Sequence, residues 1–307
     1  MTNRARWCNL PLDMAVNAAI ERGIPIKVTL LGTGPPTNPN RFQSSVLVEI
    51  GSDLLLFDAG GGAVHQLLNA GVDLSRIGPV FITHHHFDHI NDLFAVIIVS
   101  AMSGRERTLP IYGPPGTRKI VDALLNQVYA RDIGFRLEEN RNVRGRGHRW
   151  RQRPESIRDV DVHEVGAGVI AQGDGWRVIA AYVMHGDFDW RCLGYRIESQ
   201  GEVVTISGDT VPCPGIIGLV QEADLLVQCC MWPESDLARN PHLRYLTESV
   251  LPSTTQAGQI AAEAGVKRMV LTHLGASVNE AGALADVRRH YQGEVLMGSD
   301  LLVIQST

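Results

Sequence analysis

Thr83-His84-His85-His86-Phe87-Asp88-His89 is the stretch that decides how this chain of 307 residues folds and what it does. It closes a predicted buried strand, residues 79–83, and a predicted helix, residues 90–103, begins directly after it. Alternate residues of an extended segment point the same way, and the following turn brings the last two side chains back. The spacing His-x-His-x-Asp-His can therefore serve two metal ions.

Four side chains of this motif are of the types that bind metals, namely His84, His86, Asp88 and His89. A single histidine is usually a surface residue or a hydrogen-bonded core residue, but four such residues within six positions do not fit that interpretation. Neutral imidazole suits zinc well. His85 occupies a spacer position, so we expect it to be a bystander or to support the ligands from behind.

Composition and charge are those of an ordinary globular protein, with 44% hydrophobic and 20% charged residues. The net charge of −5 gives no general attraction to polyanions, which makes nucleic acid a disfavoured partner. Five cysteines without regular spacing predict reduced thiols rather than disulfides. No signal peptide and no membrane-length apolar segment is recognisable, so we expect a cytoplasmic protein without membrane insertion.

The organisation of the chain predicts one α/β domain over residues 26–307, preceded by an N-terminal extension over residues 1–25. Short β-rich runs closed by glycine turns come first, and strands then alternate with helices, including helices at 90–103 and 117–130. The same scheme repeats from residue 176, with helices at 253–264 and 280–291. Two such halves favour an αββα sandwich of two mixed sheets flanked by helices, with a doubly wound sheet as the alternative.

Between Arg131 and Arg158 the periodicity disappears and nine arginines occur in a stretch that is poor in aliphatic residues. We predict an exposed loop or insertion at about 131–158. It could be a nucleic-acid patch, a lid that recognises an anion, or merely a solvated loop. Within its most arginine-rich part, residues 141–153, Trp150 is the single aromatic residue, so a regular series of stacking platforms for bases is absent.

The histidine motif, together with Leu56-Phe57-Asp58-Ala59-Gly60, resembles the metallo-β-lactamase superfamily, and the resemblance covers nearly the whole chain from about Ile26. It implies the αββα sandwich and a hydrolase with two Zn²⁺ per chain, although Mn²⁺ or iron would also suit these ligand types. Asp58 matches the early aspartate of the family, which orients a ligand from behind.

The resemblance also supplies the remaining ligands, because the family places them after later strands. His185 follows the apolar run 178–184, Asp209 follows 203–206, and His273 follows 269–272. By this resemblance His84, His86 and His185 would hold one zinc ion. Asp88, His89 and His273 would hold the other, and Asp209 would bridge the two.

The chemistry that the resemblance implies is hydrolysis by a metal-bridging hydroxide, because water between two zinc ions loses its proton near neutral pH. We expect Asp88 and Asp209 to be catalytic, Asp209 as the bridge and Asp88 by orienting the hydroxide or by protonating the leaving group. The family's redox members have a glutamate where this sequence has His86. Hydrolysis is therefore favoured over a two-iron redox centre.

Leu31-Gly32-Thr33-Gly34-Pro35-Pro36 and Gly208-Asp209-Thr210 resemble the ribonuclease Z and arylsulfatase branch of the superfamily. The tRNA-processing members place a histidine before a Ser-Thr pair, but this sequence has Pro252 there. They also carry a long tRNA-gripping arm between the third histidine and the bridging aspartate, whereas His185 and Asp209 lie only 24 positions apart. A helix-capping box of Ser253 with Gln256 explains the surviving Ser-Thr pair.

We therefore expect a dinuclear zinc hydrolase that cleaves a small ester-like molecule: an aryl sulfate, a phosphodiester or a lactone. The alternatives are a ribonuclease Z-like endonuclease that processes tRNA 3′ ends and a metal-binding protein without turnover. The acid that commonly follows the strand 224–230 in the family is missing. Trp232 and the cysteines Cys229 and Cys230 could line the substrate pocket, with core packing as the simpler role for the cysteines. A homodimer is left open.

Overall fold

Most strands of the computed structural model bury both faces, because helices cover one side of each sheet and the second sheet covers the other. In β3 (Asp53–Phe57), Leu55 and Phe57 pack toward the opposite sheet, whereas Leu54 and Leu56 pack with residues of the helices. Burial on two sides therefore explains the nearly continuous apolar runs of the sequence. The structure describes residues 26–145, 153–186 and 191–306.

The first sheet is built mainly from the first half of the chain. Its strands are β1 (Lys27–Gly32), β2 (Ser45–Ile50), β3, β4 (Val80–Phe81), β5 (Leu109–Gly113), β6 (Val160–Glu164) and β14 (Leu302–Gln305). Within the described ranges their order is β14-β1-β2-β3-β4-β5-β6. The pairs from β14 to β3 are antiparallel, and the pairs from β3 to β6 are parallel.

The second sheet repeats this arrangement. Its strands are β7 (Gly168–Gly173), β8 (Trp176–Val183), β9 (Cys192–Ser199), β10 (Glu202–Ile206), β11 (Leu225–Cys229), β12 (Arg268–Thr272) and β13 (Glu294–Met297). Their order, for the residues that are described, is β13-β12-β11-β10-β9-β8-β7. The pairs from β7 to β10 are antiparallel and those from β10 to β13 are parallel, so the two halves of the chain fold alike.

The helices cover the outer faces of the sheets. They are α1 (Ala63–Asn69), α2 (Phe87–Ile90), α3 (Leu93–Met102), α4 (Thr117–Ala123), α5 (Ala130–Gly145), α6 (Pro214–Leu219), α7 (Glu234–Arg239), α8 (Leu243–Ser249), α9 (Thr254–Glu263) and α10 (Glu280–Val287). Helices α1, α3 and α4 pack on the first sheet, and α6, α9 and α10 pack on the second. The apolar core between the sheets contains Phe57 and Phe81 from one side and Tyr195 and Ile206 from the other. The predicted αββα sandwich is thus confirmed.

A helix, rather than a loop, occupies the first part of the arginine-rich stretch. The predicted loop is therefore wrong for residues 131–145, whereas an insertion stays a prediction. In α5 the buried side of the helix is carried by Ile133, the half-buried Leu137 and Asn140. Because the third of these is polar, the apolar period of a helix is hard to recognise in the sequence. The Nδ2 of Asn140 donates to the carboxylate of Glu155 at 3.1 Å, whereas its buried Oδ1 has no hydrogen-bond partner among the described residues.

Several elements differ from their predicted bounds. The predicted helix over 117–130 ends as α4 at Ala123 and continues as a π-helical turn, Leu124–Val128, before α5 begins. The short strands β6 and β7 and the helices α1, α6, α7 and α8 had no clear signal in the sequence.

The N-terminal extension over 1–25 and the arginines at positions 146, 149 and 151 lie outside the described residues. In the part of the chain that is described, no helix is long and apolar enough to cross a membrane.

The two sheets are also joined near both ends of the described chain. Strand β14 pairs with β1 in the register Val28↔Ile304, which places residues 302–305 beside residues 27–30. Glu202, at the start of β10, accepts from the backbone N–H of Ile26 at 3.0 Å and from the hydroxyl of Ser306. Late residues of the chain therefore complete the first sheet.

Candidate metal centre

The predicted site residues all follow strands whose carboxyl ends lie at one edge of the sandwich. Asp58 follows β3, the histidine motif follows β4, His185 follows β8, Asp209 follows β10 and His273 follows β12. Two hydrogen bonds join the sheets here: Leu193 N–H donates to the carbonyl of Thr83 at 2.9 Å, and Tyr195 Oη donates to the carbonyl of Ile82 at 2.6 Å. The carboxyl edge of parallel strands is where α/β proteins build their sites.

The structure brings the seven predicted ligands together in two groups of side chains that could hold a metal ion. The first group is His84, His86, His185 and Asp209, and the second is Asp88, His89 and His273. Within each group the ligand atoms lie within 4.8 Å of one another. Most of these side chains are buried, and His86 is half-buried.

Asp209 lies between the two groups, because one of its oxygens approaches histidines of both. Measured from Asp209 Oδ2, the Nε2 atoms lie at 4.0 Å for His84, 3.8 Å for His185, 3.4 Å for His89 and 3.3 Å for His273. Gly208, with φ +58°, lets the backbone turn here, and a Cβ on it would lie 2.8 Å from the carbonyl oxygen of Leu193. This is the position that the bridging ligand of a two-metal site requires.

The second ring nitrogens of three histidines are held by hydrogen bonds that leave Nε2 directed at the site. His185 Nδ1 donates to the carbonyl of Val250 at 2.6 Å, and His89 Nδ1 donates to Asp58 Oδ2 at 2.7 Å. The hydroxyl of Thr83 donates to Asp58 at 2.8 Å, so it is free to accept from His84 Nδ1 at 3.0 Å. Such partners fix the tautomer that metal-binding histidines need.

The buried Nε2 atom of His89 also supports a metal site at this place. His89 is only 1% exposed, and its Nε2 makes no hydrogen bond with the described residues, although it lies 3.4 Å from Asp209 Oδ2. A buried polar nitrogen without a hydrogen bond costs free energy, which a bound metal ion would recover. The donor set of imidazoles and carboxylates therefore fits a dinuclear site for zinc or a similar ion.

Asp58 holds the two ends of the histidine motif together. Its Oδ1 accepts from the backbone N–H of Thr83 at 2.8 Å, and its Oδ2 accepts from the Thr83 hydroxyl and from His89. Its φ of +56° lies in the left-handed region, which is strained for a residue with a side chain. His273, with φ +55°, is strained in the same way. Two strained residues thus lie at the centre of the site.

Burial and neighbouring charges set the protonation of these side chains. Burial and the nearby His89 hold the pKa of His84 well below its usual value, and burial together with His185 lowers that of His86. Burial opposes a charge on His89, but the carboxylates of Asp209 and Asp58 outweigh it and raise the pKa well above its usual value. Burial likewise opposes ionisation of Asp209, yet the surrounding histidines, His273 first, hold its pKa well below normal.

The remaining predicted residues lie outside the two groups. His85 points to α4, with its Nε2 2.8 Å from the hydroxyl of Thr117. Trp232 is half-buried and its backbone pairs with Ser253, so its contact with a substrate stays a prediction. Cys229 and Cys230 are fully buried, and burial raises the pKa of both thiols, which agrees with core packing.

The capping box predicted at the start of α9 is confirmed. Ser253 Oγ accepts from the backbone N–H of Gln256 at 3.3 Å, and Gln256 Oε1 accepts from that of Ser253 at 2.9 Å. Ser253 also donates to Glu234 at 3.0 Å. Helix capping therefore accounts for Ser253, and the hydroxyl of Thr254 donates to Asp286 at 2.6 Å.

Sequence reasoning missed Thr83, whose hydroxyl connects Asp58 with His84. Its signal was a hydroxyl-bearing residue directly before the first histidine, at the end of a buried strand. The carbonyl of Val250, which orients His185, had no signal at all, because a backbone group is invisible in a sequence.

Comparison with known proteins agrees with this geometry. A family model described as "Beta-lactamase superfamily domain" matches residues 54–274. A protein named Ribonuclease Z from Mycobacterium avium (strain 104) is 34% identical over 289 residues, covering 91% of this chain and 98% of the relative. Ribonuclease Z from Mycobacterium tuberculosis (strain ATCC 25618 / H37Rv) is 30% identical over 281 residues, covering 90% and 96%.

Solved structures show the same fold at lower identity. The metallo-β-lactamase fold protein YhfI from Bacillus subtilis has a TM-score of 0.71 at 20% identity, covering 92% of this chain and 99% of the other. The short form of human tRNase Z has a TM-score of 0.65 at 22% identity, again covering 92% and 99%. At such identities the likeness concerns the fold.

Proposed function

Because this chain belongs to the β-lactamase superfamily, a family of metal-dependent hydrolases, we propose that it hydrolyses phosphodiester bonds of RNA in the manner of ribonuclease Z. The observation that carries this proposal is the 30–34% identity to proteins named Ribonuclease Z over about nine tenths of the chain. All seven ligand-type side chains are present, so the proposal concerns an enzyme rather than a protein that only binds metal.

This proposal replaces the expected small ester substrate with the alternative that the sequence left open. The ribonuclease Z relatives conflict with the expectation that nucleic acid is a disfavoured partner. That expectation rested on the net charge of −5, which averages over the whole surface and does not describe the field at one binding face. The two curated relatives described above are both named Ribonuclease Z, which favours RNA over an aryl sulfate or a lactone.

Two zinc ions, one in each group of ligands, are part of the proposal. Bound zinc would lower the pKa of water and polarise a phosphoryl oxygen. Asp209 would remain a carboxylate, because the surrounding histidines keep its pKa low even though burial opposes ionisation. It is therefore able to lie between two cations.

Asp88 is suited to orient the attacking water. Burial disfavours its ionisation, but its hydrogen bond with His273, 3.3 Å between Oδ2 and Nε2, and the nearby His89 lower its pKa overall. It therefore stays ionised at neutral pH and has no proton to give to a leaving group. We assign Asp88 the role of orienting the water rather than that of an acid.

An exposed aromatic ring supports a substrate with nucleobases. Phe87 is 58% exposed although it lies between His86 and Asp88 in the chain. An aromatic face beside a phosphodiester site can stack on a base that flanks the scissile bond. A small aliphatic ester has no aromatic ring on which Phe87 could stack.

A second candidate is hydrolysis of a small phosphodiester, and three sequence features favour it. Pro252 replaces the histidine of the tRNA-processing members, Cys229 ends the strand that their acid commonly follows, and His185 and Asp209 are too close in sequence for the tRNA arm.

For either activity we propose that the protein acts in the cytoplasm. The described cysteines are all buried and none forms a disulfide with another described residue.

The test is cleavage by the zinc-loaded protein of a precursor tRNA with a 3′ trailer, compared with bis(4-nitrophenyl) phosphate, an aryl sulfate and a lactone. Removing a bridging ligand in Asp209→Asn should lower kcat/KM by more than about 100-fold, the upper range for residues that only support ligands. Asp122→Asn, an exposed carboxylate on α4, is the matched control. Turnover of the small phosphodiester alone would support the second candidate, and failure on both phosphodiesters would refute both.

A further inference from the structure

The loop between β1 and β2, residues 33–44, reaches across the molecule to the last ligand, His273. It contains Thr33-Gly34-Pro35-Pro36, a segment that the proposed chemistry does not use. Asn38 in this loop is only 7% exposed, and its Nδ2 donates to the carbonyl of Leu274 at 2.9 Å. The N–H of Leu274 donates to the carbonyl of Thr33 at 2.8 Å. Both backbone polar groups of the residue after His273 are therefore held by one loop.

The backbone of His273 needs such support, because its φ of +55° is a conformation that side-chain-bearing residues rarely adopt. Residues in such conformations persist only where their surroundings over-determine them. With this backbone conformation, Nε2 of His273 lies 3.3 Å from Asp88 Oδ2 and 3.3 Å from Asp209 Oδ2. A relaxed backbone would move the imidazole away from both carboxylates.

The β1–β2 loop is itself anchored at several points, so it can resist that relaxation. The hydroxyl of Thr33 donates to Asp300 at 2.6 Å and accepts from Arg41 at 2.7 Å. Asp300 also accepts from the backbone N–H of Phe42 at 2.8 Å. Asn38 Oδ1 is used inside the loop, where it accepts from the N–H of Asn40 at 3.1 Å. The Oδ1 of Asn38 thus binds within the anchored loop, and its Nδ2 binds the carbonyl of Leu274, the residue that follows the ligand His273.

We propose that Asn38 is a positioning residue for the second metal ion: by holding Leu274, it keeps His273 in the strained backbone conformation that completes the group of Asp88, His89 and His273. The inference rests on the proposed two-metal site and is independent of the identity of the substrate. It assigns a role in ligand geometry to a loop that would otherwise be only a turn.

The experiment uses the full chain stripped of metal and titrated with Zn²⁺ against a chromophoric chelator, and with Co²⁺ followed by its visible absorption spectrum. Asn38→Asp keeps the Oδ1 acceptor and the size of the side chain but removes the donor to Leu274, and Asn38→Ala removes both. Each of these variants should weaken one of the two zinc-binding steps by about tenfold or more, as the loss of a residue that orients a metal ligand commonly does. The Co²⁺ spectrum of that site alone should change.

Asn40→Ala is the matched control, because Asn40 is exposed in the same loop and only its backbone N–H is used. It should bind both ions as the wild-type protein does. Unchanged stepwise affinities and spectra in Asn38→Asp would overturn the proposal, as would an equal weakening of both steps that follows a lowered Tm. If the wild-type chain failed to bind two ions, the proposed metal site itself would be wrong, whatever the variants did.

Discussion

Asp58 accepts a hydrogen bond of 2.7 Å from Nδ1 of His89, and neither side chain is more than 4% exposed. The carboxylate therefore acts on the metal centre from the side opposite to the ion. It fixes the ring, sets the tautomer and makes the imidazole a stronger base, while its own strained backbone is held by the adjoining strands.

Replacing Asp58 by asparagine should weaken zinc binding by about 10- to 100-fold, because the imidazole of His89 loses the carboxylate that orients it and makes it a stronger donor to the metal, while the shape of the side chain is kept. Asparagine tolerates a positive φ, so the backbone strain is not increased. Competition with a chelator measures the affinity, and Asp122→Asn is again the surface control. An Asp58→Asn protein that binds zinc as tightly as the wild type would show that this contact has no effect on the ligands.

Zinc binding should release a proton near neutral pH. In the metal-free protein burial opposes a charge on His89, but Asp209 and Asp58 raise its pKa well above the usual value, so Nε2 carries a proton that the ion must displace. His84 and His86, whose pKa values are lowered by burial first, are already neutral and release none. Apparent zinc affinity should therefore rise with pH until the raised pKa of His89 is passed.

Calorimetric titration in two buffers of different ionisation enthalpy counts all the protons released. A metal-bound water that becomes hydroxide would account for one of them, so the proton of His89 should bring the number released at pH 7 above one. A release of one proton or fewer would mean that zinc displaces no proton from His89. The raised pKa of His89 would then be the wrong description of the metal-free site.

Replacing Phe87 by alanine should raise KM for the precursor tRNA by about tenfold, since stacking of one base contributes about 1–3 kcal/mol. Phe87→Tyr should keep the wild-type value. The loss should vanish on an RNA whose nucleotide next to the cut is abasic. Phe135→Ala, which removes an aromatic ring on α5 that is 63% exposed, is the control for general loss of apolar surface. A persistent effect on the abasic RNA would contradict stacking.

Arg105 should be needed for stability rather than for catalysis. It is completely buried, and its guanidinium donates to the carbonyls of Ser156, Asp159 and Arg107 at 2.6–2.9 Å. Burial, the largest influence, lowers its pKa to about 10, so it stays charged at neutral pH. Arg105→Met would leave these carbonyls without a donor and should lower the free energy of unfolding by about 3 kcal/mol or more.

Urea denaturation measures that change, with Arg131→Met on the exposed side of α5 as the control, where we expect less than about 0.5 kcal/mol. The zinc affinity of folded Arg105→Met should equal that of the wild type. A loss of zinc affinity at full stability would instead connect this residue to the metal centre.

Much of the site could be predicted because its ligands are local to short motifs at strand ends. The spacing from His84 to His89 needs only the geometry of a strand that turns into a helix. Asp209 and His273 could be placed through the family resemblance, since each follows an apolar strand. The fold followed from the alternation of apolar strands and helical patterns.

The contacts that could not be predicted join residues far apart in the chain. Asn38 and Leu274 are separated by 236 positions, and a buried asparagine in a Pro-rich loop gives no sign of its partner. Helix α5 was missed for a different reason, because Asn140 interrupts its apolar side and its stability comes in part from the contact with Glu155. Periodicity detects burial of apolar side chains and is blind to such polar contacts.

The pairing of β14 with β1 has a consequence for synthesis on the ribosome. Residues 27–30 leave the exit tunnel early, yet their neighbours in the sheet are residues 302–305. Until those are made, β1 presents an unpaired edge, which invites association with other nascent chains. Asp300, which anchors the β1–β2 loop, is translated at the same late stage. During synthesis, the backbone conformation of His273 should therefore become fixed only after Asp300 and residues 302–305 have left the exit tunnel.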